Sequence, residues 1–372
     1  MIIMNLEVDN LSLFNNFKIN LSYPKKIVGS TIPEEHLQNH PNFRYKKAII
    51  LMGANATGKT SLGVVLMSIF NFINKKDYRL LVSRIRNPRN PASFQIDFVH
   101  EDILYRVSTT IKRKDNRSVS YSTNDFDAQV STVKILSGDN YETALNRLLS
   151  HECEHSSNYI DEFEKIPRFT WLFEYPFDDP QSARSVDPFD RKVYRVFLEK
   201  VLRALDPRIL EVAQVKENET TYVIRHEDFN LIMDNGKLVD PSLLSSGTRD
   251  GISIANMIAT MKLHVCQFYY CDEQFSHVHS EMEKAFLSLL IDILGPNEQL
   301  FFTTHNPEIL SLDLPKHTFA FLVRDSFSDH RISCTFASEY LKKNSDSLRI
   351  AVENDLFSAT PEVDTIYDIA DM

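Results

Sequence analysis

Residues 53–60 read Gly-Ala-Asn-Ala-Thr-Gly-Lys-Thr and fit the phosphate-binding pattern G-x-x-x-x-G-K-[ST] at every position. The glycines let the backbone wrap a phosphate with its N–H groups, and a helix N-terminus behind them adds partial positive charge. Lys59 is placed to reach β- and γ-phosphates, and the Thr60 hydroxyl to hold Mg²⁺. The candidate nucleotide-binding residues are Gly53, Asn55, Ala56, Thr57, Gly58, Lys59, Thr60 and Ser61. The context suits the motif: the apolar run Ala48–Met52 precedes it and the helix-like run Ser61–Met67 follows it.

Three further segments supply groups that could act on a bound nucleotide. The run Phe268–Cys271 ends in Asp272-Glu273; an apolar strand that delivers an Asp to its carboxyl end sets it beside the phosphate loop of an open parallel sheet. Asp272 would then hold Mg²⁺, directly or through water, and Glu273 would polarise the attacking water as a general base. Leu243-Leu244-Ser245-Ser246-Gly247-Thr248 opens a helical pattern, where serine and glycine present a hydroxyl and N–H groups to an anion. The buried-strand run Leu300–Thr304 ends in His305-Asn306, which puts an imidazole within reach of a γ-phosphate. Gln95, in the alternating run Phe94–Phe98, is the candidate for a further metal-directed glutamine.

The linear order of these pieces resembles that of ABC-type ATPases, and in particular the stand-alone ABC-type AAA ATPases related to the SMC and OLD proteins. Leu244–Thr248 is similar to the family's signature, Asp272-Glu273 to its Walker B pair and His305 to its switch histidine; the wording Thr303-Thr304-His305-Asn306-Pro307 is especially close. The loop after the acid pair departs from the usual Leu-His-Pro, reading Val278-His279-Ser280. The resemblance implies an α/β fold, an ABC-type P-loop head with a mixed, largely parallel core sheet, an antiparallel β lobe and a helical insertion. It implies ATP and Mg²⁺ as cofactors, and ATP sandwiched between two heads. Lys59 and Thr60 of one subunit would bind the phosphates, while Ser245, Ser246 and Gly247 of the other cap the γ-phosphate. Glu273 and His305 would complete hydrolysis. Such heads commonly serve phage defence, so the resemblance also implies a separate effector, such as a nuclease or toxin, under the ATPase's control.

The elements that must position these groups follow from patterning. The head is expected over 1–93 and 243–330, an inserted antiparallel lobe with a helical or lid region over 94–242, and a tail over 331–372. Strands are expected at Phe94–Phe98, Ile103–Ile111, Val119–Ser122 and Val130–Leu136, with a hairpin at Thr220–Arg225 and Phe229–Met233. Helices are expected at Asn140–Leu149, Phe189–Ala204 and Glu339–Ala351, and a lid or partner-facing segment at Ser156–Asp187. No heptad pattern persists long enough for an SMC-like coiled coil. His151-Glu152-Cys153-Glu154-His155 matches H-E-x-x-H, a zinc-peptidase pattern without a clear third ligand.

Composition bounds the partners. The formal net charge of −10 opposes nucleic-acid binding over the whole surface but leaves local basic segments, Arg79–Arg89 and Lys112–Lys114 with Arg117, able to hold a phosphate backbone. The four cysteines show no paired spacing, and no stretch approaches the ~18 apolar residues of a membrane span. A cytoplasmic protein with no membrane partner is the expectation.

Overall fold

In the computed structural model the described residues are 1–27, 29–114, 120–150, 158–174, 183–184, 191–215, 220–325, 331–343 and 346–358. The chain opens with β1 (Ile2–Asp9), β2 (Phe17–Asn20), the short pair β3 (His36–Leu37) and β4 (His40–Arg44), and β5 (Ala48–Met52). Helices α1 (Lys59–Lys75) and α2 (Arg79–Val82) follow, then β6 (Ala92–His100), β7 (Ile103–Ile111) and β8 (Phe126–Lys134). Next come α3 (Tyr141–Leu149), α4 (Tyr159–Glu164), β9 (Trp171–Glu174) and α5 (Arg191–Leu205). A small meander, β10 (Ile209–Gln214), β11 (Thr221–His226), β12 (Asn230–Asp234) and β13 (Lys237–Leu238), precedes α6 (Ser246–Lys262). The chain continues through β14 (Phe268–Asp272), α7 (Ser280–Ile293), β15 (Gln299–Thr303), β16 (Phe319–Arg324), β17 (Ile332–Phe336), α8 (Ala337–Tyr340) and α9 (Leu348–Glu353).

The core sheet has the order β17-β16-β5-β15-β14-β9, parallel throughout except for β17. Its central strands are buried on both faces, so their sequences are continuous apolar runs rather than alternating ones. The two-residue period still sorts side chains between layers. Ile49 and Leu51 join one apolar cluster while Ala48, Ile50 and Met52 join the other, and Phe268 and Tyr270 face away from Tyr269 and Cys271.

On one face, α1 lies between the core sheet and an antiparallel sheet of order β2-β1-β6-β7-β8. The helix is apolar nearly all round because it is covered on both sides. Phe70 packs against Trp171, Phe173 and Phe268 of the core sheet; Phe72 packs against Phe94 and Phe126 of the antiparallel one. Lys76 ends α1 in the left-handed conformation, φ 59°, its N–H returning to the Asn71 carbonyl. On the other face, α5, α6 and α7 share a second cluster with the meander β10–β13.

This topology cuts across the boundaries expected from sequence. Strands β6–β8 continue the sheet begun by β1, rather than forming a lobe apart from the opening strands. Trp171–Glu174, inside the segment read as a lid, is an edge strand of the core sheet paired in parallel with β14, Cys271 opposite Glu174. Its aromatic side chains fill the layer under α1 instead of facing a partner. From the segment read as a tail, β17 pairs with β16, and Phe357 stacks on Phe321. Residues 120–122 form no strand: Ser122 and Asp125 cap a short 3₁₀ turn that leads into β8. The single helix expected at Glu339–Ala351 is two, α8 and α9, because Leu341 is extended and Ser347 starts a new helix by accepting from the Ile350 N–H. The H-E-x-x-H residues 151–155, and Val119 and Arg117, lie outside the described residues. No helix among the described residues is long and apolar enough to cross a membrane.

Candidate functional site

The phosphate loop leaves the carboxyl end of β5 and turns into α1. At Gly53, φ is 149°, and a Cβ would stand 2.5 Å from the Leu322 carbonyl oxygen and 2.8 Å from Thr57 Oγ1, so no side chain fits. Gly58 has φ 103° and no side chain caps α1 behind it, which leaves the first N–H groups of the helix available to an anion. Thr57 Oγ1 donates to the Ala54 carbonyl at 2.8 Å and closes the loop, with Asn55 and Ala56 exposed at its crest. The buried Lys59 ammonium lies back over the loop, donating to the carbonyls of Gly53 at 2.9 Å and Ala54 at 3.2 Å. Burial lowers its pKa, opposed by the Glu273 carboxylate. Its backbone is held from below by Tyr270, whose hydroxyl donates to the Lys59 carbonyl at 2.6 Å.

The acid pair sits across β15 from β5. Asp272, the last residue of β14, is buried; its Oδ1 accepts from Thr303 Oγ1 at 2.7 Å, while Oδ2 is buried with no hydrogen-bond partner. Burial pushes this carboxyl up against the pull of the nearby Thr60 and Thr303 hydroxyls. An orphaned carboxylate oxygen at a strand's carboxyl end, close to a loop threonine, is the donor set a hard divalent cation takes, so Thr60 and Asp272 fit Mg²⁺. Glu273 adopts φ 51°, a left-handed backbone uncommon outside glycine, and its N–H donates to Thr303 Oγ1 at 3.0 Å. That turn aims its carboxylate at His305, whose Nε2 is 2.7 Å from Oε1, with Lys59 Nζ at 3.6 Å. The His305 contact, and then Lys59, hold the Glu273 carboxyl below the usual range. Lys59 Nζ and His305 Nδ1 are 3.5 Å apart. The structure therefore brings together the phosphate loop, the acid pair and the histidine from three separate strand ends.

Ser245–Gly247 sits elsewhere. Ser245 caps α6, its Oγ accepting from the Thr248 N–H at 3.1 Å, and Ser246 Oγ accepts from Arg249 Nη2 at 3.0 Å. A Cβ on Gly247 would stand 2.6 Å from the His277 carbonyl oxygen, and the His277 ring meets Asp250 at 2.9 Å. The segment is thus packed on the loop that follows Glu273; no hydrogen bond among the described residues joins it to the phosphate loop. Gln95 is not at the site: it lies on β6, where its Oε1 accepts from Ser108 Oγ at 3.3 Å, because alternation along an antiparallel strand points it away from the core sheet's loops.

Three groups were missed. Thr303 bridges the acid pair through one hydroxyl, and the run Thr303–Asn306 was the only sequence signal for it. Glu283 on α7, ten residues past Glu273, accepts from Thr304 and Asn306 and carried no local signal. Glu174, at the end of β9, is buried with a raised pKa and accepts from Asn256 on α6, which ties the core sheet's edge to the helix that Ser245 caps. Beside Glu273 and Glu283 a cavity of about 320 Å³ is lined by these two acids with Phe275, Val278, Thr304 and His305.

Known proteins share this fold. A solved SMC head bound to the C-terminal winged-helix domain of ScpA superposes with a TM-score of 0.50 at 14% identity, covering 94% of this chain and 100% of that one. An SMC head with an extended coiled coil, bound to the C-terminal domain of ScpA from Pyrococcus furiosus, gives 0.50 at 11% identity, covering 95% and 98%. The shared fold is the ABC-type P-loop ATPase head. No curated protein matches the sequence. The family model described as "AAA domain, putative AbiEii toxin, Type IV TA system" matches residues 49–311, and the chain belongs to that AAA-domain family.

Proposed function

We propose that the protein binds and hydrolyses ATP, closes as a head-to-head dimer on ATP, and in that state controls a separate effector in defence against phage. The observation that carries the hydrolytic part is the convergence of Lys59, Glu273 and His305 within 3.6 Å of one another beside the orphaned Asp272 oxygen. Thr60 and Asp272 would hold Mg²⁺, which when bound screens the phosphate charge. Lys59 brings a positive charge to the β- and γ-phosphates. Glu273, kept ionised by His305 and Lys59, accepts a proton from the attacking water as its oxygen bonds the γ-phosphorus and ADP leaves. The packing of Ser245–Gly247 on the His277 loop, away from its own phosphate loop, supports closure in trans, with a second copy offering its serine hydroxyl and N–H groups to the γ-phosphate.

The test is the solution mass of wild type and Glu273→Gln, with and without ATP·Mg²⁺, by light scattering after size exclusion. The expected result is a dimer for Glu273→Gln with ATP, lost on Ser246→Arg, and turnover lowered roughly 10²- to 10⁴-fold by Glu273→Gln. Unchanged turnover in Glu273→Gln would remove the residue's assigned role, and a monomer throughout would remove the ATP-closed dimer. A second reading, direct action on nucleic acid, is favoured by one contact. Arg113 Nη2 donates to the Pro88 carbonyl at 3.0 Å, so the basic turn 112–114 and the basic segment 84–89 form one rim.

A further inference from the structure

We propose that Glu283, on α7, is a positioning residue that sets the His305 ring against Glu273. Its two carboxylate oxygens take the residues on either side of the histidine. Oε1 accepts from Thr304 Oγ1 at 2.6 Å, and Oε2 accepts from Asn306 Nδ2 at 2.7 Å. A third bond closes the ring, Asn306 N–H donating to Thr304 Oγ1 at 2.9 Å. Glu283 is 4% exposed, and Thr304 is likewise buried.

His305 itself is held only from the nucleotide side. Its polar contacts among the described residues are Glu273 Oε1 and Lys59 Nζ, and more than a third of its side chain is exposed. Those two contacts are made only if the ring is delivered to them, and the direction of its Cβ, set by the backbone of 304–306, decides where the imidazole lies. The strand β15 ends at Thr303; the Thr304 N–H still donates to the Leu51 carbonyl of β5 at 3.3 Å, and that is the last bond to the core sheet on this side of His305. Beyond it, the carboxylate of Glu283 holds the segment through the Thr304 and Asn306 side chains. A carboxylate suits the task because it accepts at two oxygens and both neighbours donate. Without it, a buried hydroxyl and an amide would each lose their acceptor and turn to find another. No hydrogen bond joins Glu283 to His305, although the carboxylate also attracts the ring electrostatically, so the geometric effect on the ring is a displacement rather than a lost hydrogen bond.

The positional claim rests on this geometry, and only its kinetic consequence rests on the ATPase reading above. The experiment compares wild type, Glu283→Ala, Glu283→Gln and Thr304→Val in crystal structures of the full chain and in steady-state ATP hydrolysis, with Glu283→Ala also made on His305→Ala. In Glu283→Ala the His305 Nε2–Glu273 Oε1 distance opens from 2.7 Å beyond hydrogen-bond range. Its kcat falls roughly tenfold to a hundredfold while KM for ATP stays within about twofold, as expected when a catalytic group is misplaced without loss of binding. Glu283→Gln, which can accept from Asn306 and donate to Thr304, recovers most of kcat. On His305→Ala, adding Glu283→Ala changes kcat by less than about twofold, because a residue that acts through the histidine has nothing left to act on.

An unmoved ring in Glu283→Ala, or an equal kcat loss with and without His305, overturns the proposal. Where Glu283→Ala does not fold, Thr304→Val keeps the volume and removes one of the two Glu283 bonds together with the Asn306 N–H bond; an undisplaced ring and full kcat in that protein overturn it equally. A displaced ring in a chain whose wild type does not hydrolyse ATP leaves the positional assignment standing and removes the ATPase reading.

Discussion

Asp272 is a buried acid with one oxygen satisfied and one not, an arrangement that costs stability and that a bound cation would relieve. Replacing it by asparagine removes the buried charge but keeps the shape. Asp272→Asn is therefore expected to melt no lower than wild type without nucleotide, yet to lose the Mg²⁺-dependent part of stabilisation by a non-hydrolysable ATP analogue. For wild type the whole stabilisation by the analogue with Mg²⁺ is expected to be about 2.7 kcal/mol at a hundredfold excess over Kd, and calorimetry with and without Mg²⁺ separates the cation's share. A full Mg²⁺-dependent rise in the variant would remove Asp272 from the cation site. At this scale the sequence was most legible where the chemistry is contiguous. The phosphate loop and the acid pair each occupy one run, so residue type and spacing suffice. Glu283 was invisible because its partners, Thr304 and Asn306, are 21 and 23 positions away, and only the fold makes them neighbours.

Among the elements, α1 carries the most, since it starts at the phosphate loop and fills the space between two sheets. Phe72 is its link to the antiparallel sheet, with ring centroids 5.0 Å from Phe126 and 6.2 Å from Phe94. Phe72→Ala should destabilise the protein by about 3–5 kcal/mol in denaturant titration, the range for a large aromatic lost from a core. A loss under about 1 kcal/mol, the level of many surface changes, would mean that the two sheets do not depend on the helix between them. Helix α6 was legible because a serine cap precedes a periodic apolar face. Strand β9 was not: a four-residue strand buried on both faces has no alternation, and its aromatic, proline-flanked surroundings read as a surface segment. Gln95 was misplaced for the related reason that an alternating run announces a strand but not which sheet it joins.

For the molecule as a whole, a net charge of −10 coexists with a rim of exposed Arg86, Arg89, Lys112 and Lys114 on the antiparallel sheet's side. If that rim meets a phosphate backbone, duplex DNA affinity should fall with salt with a slope of about −0.9 per phosphate contacted, and Arg86→Glu should lower the slope by about one unit. Absence of binding at low salt, by fluorescence anisotropy, would leave the effector reading alone. The general architecture was legible from the order of the motifs; the partition between units was not, because sheets here recruit strands from every part of the chain. That recruitment also governs birth on the ribosome. The strand that leads into the phosphate loop, Ala48–Met52, is flanked by β15 and β16, whose first residues are Gln299 and Phe319. At ~5–20 residues per second, β5 waits on the order of tens of seconds with both edges open before either neighbour is synthesised. A nascent chain that stops short of Gln299 carries the complete phosphate-loop motif without either strand that flanks β5, so the phosphate loop, the acid pair and the histidine come together only after β15 has emerged.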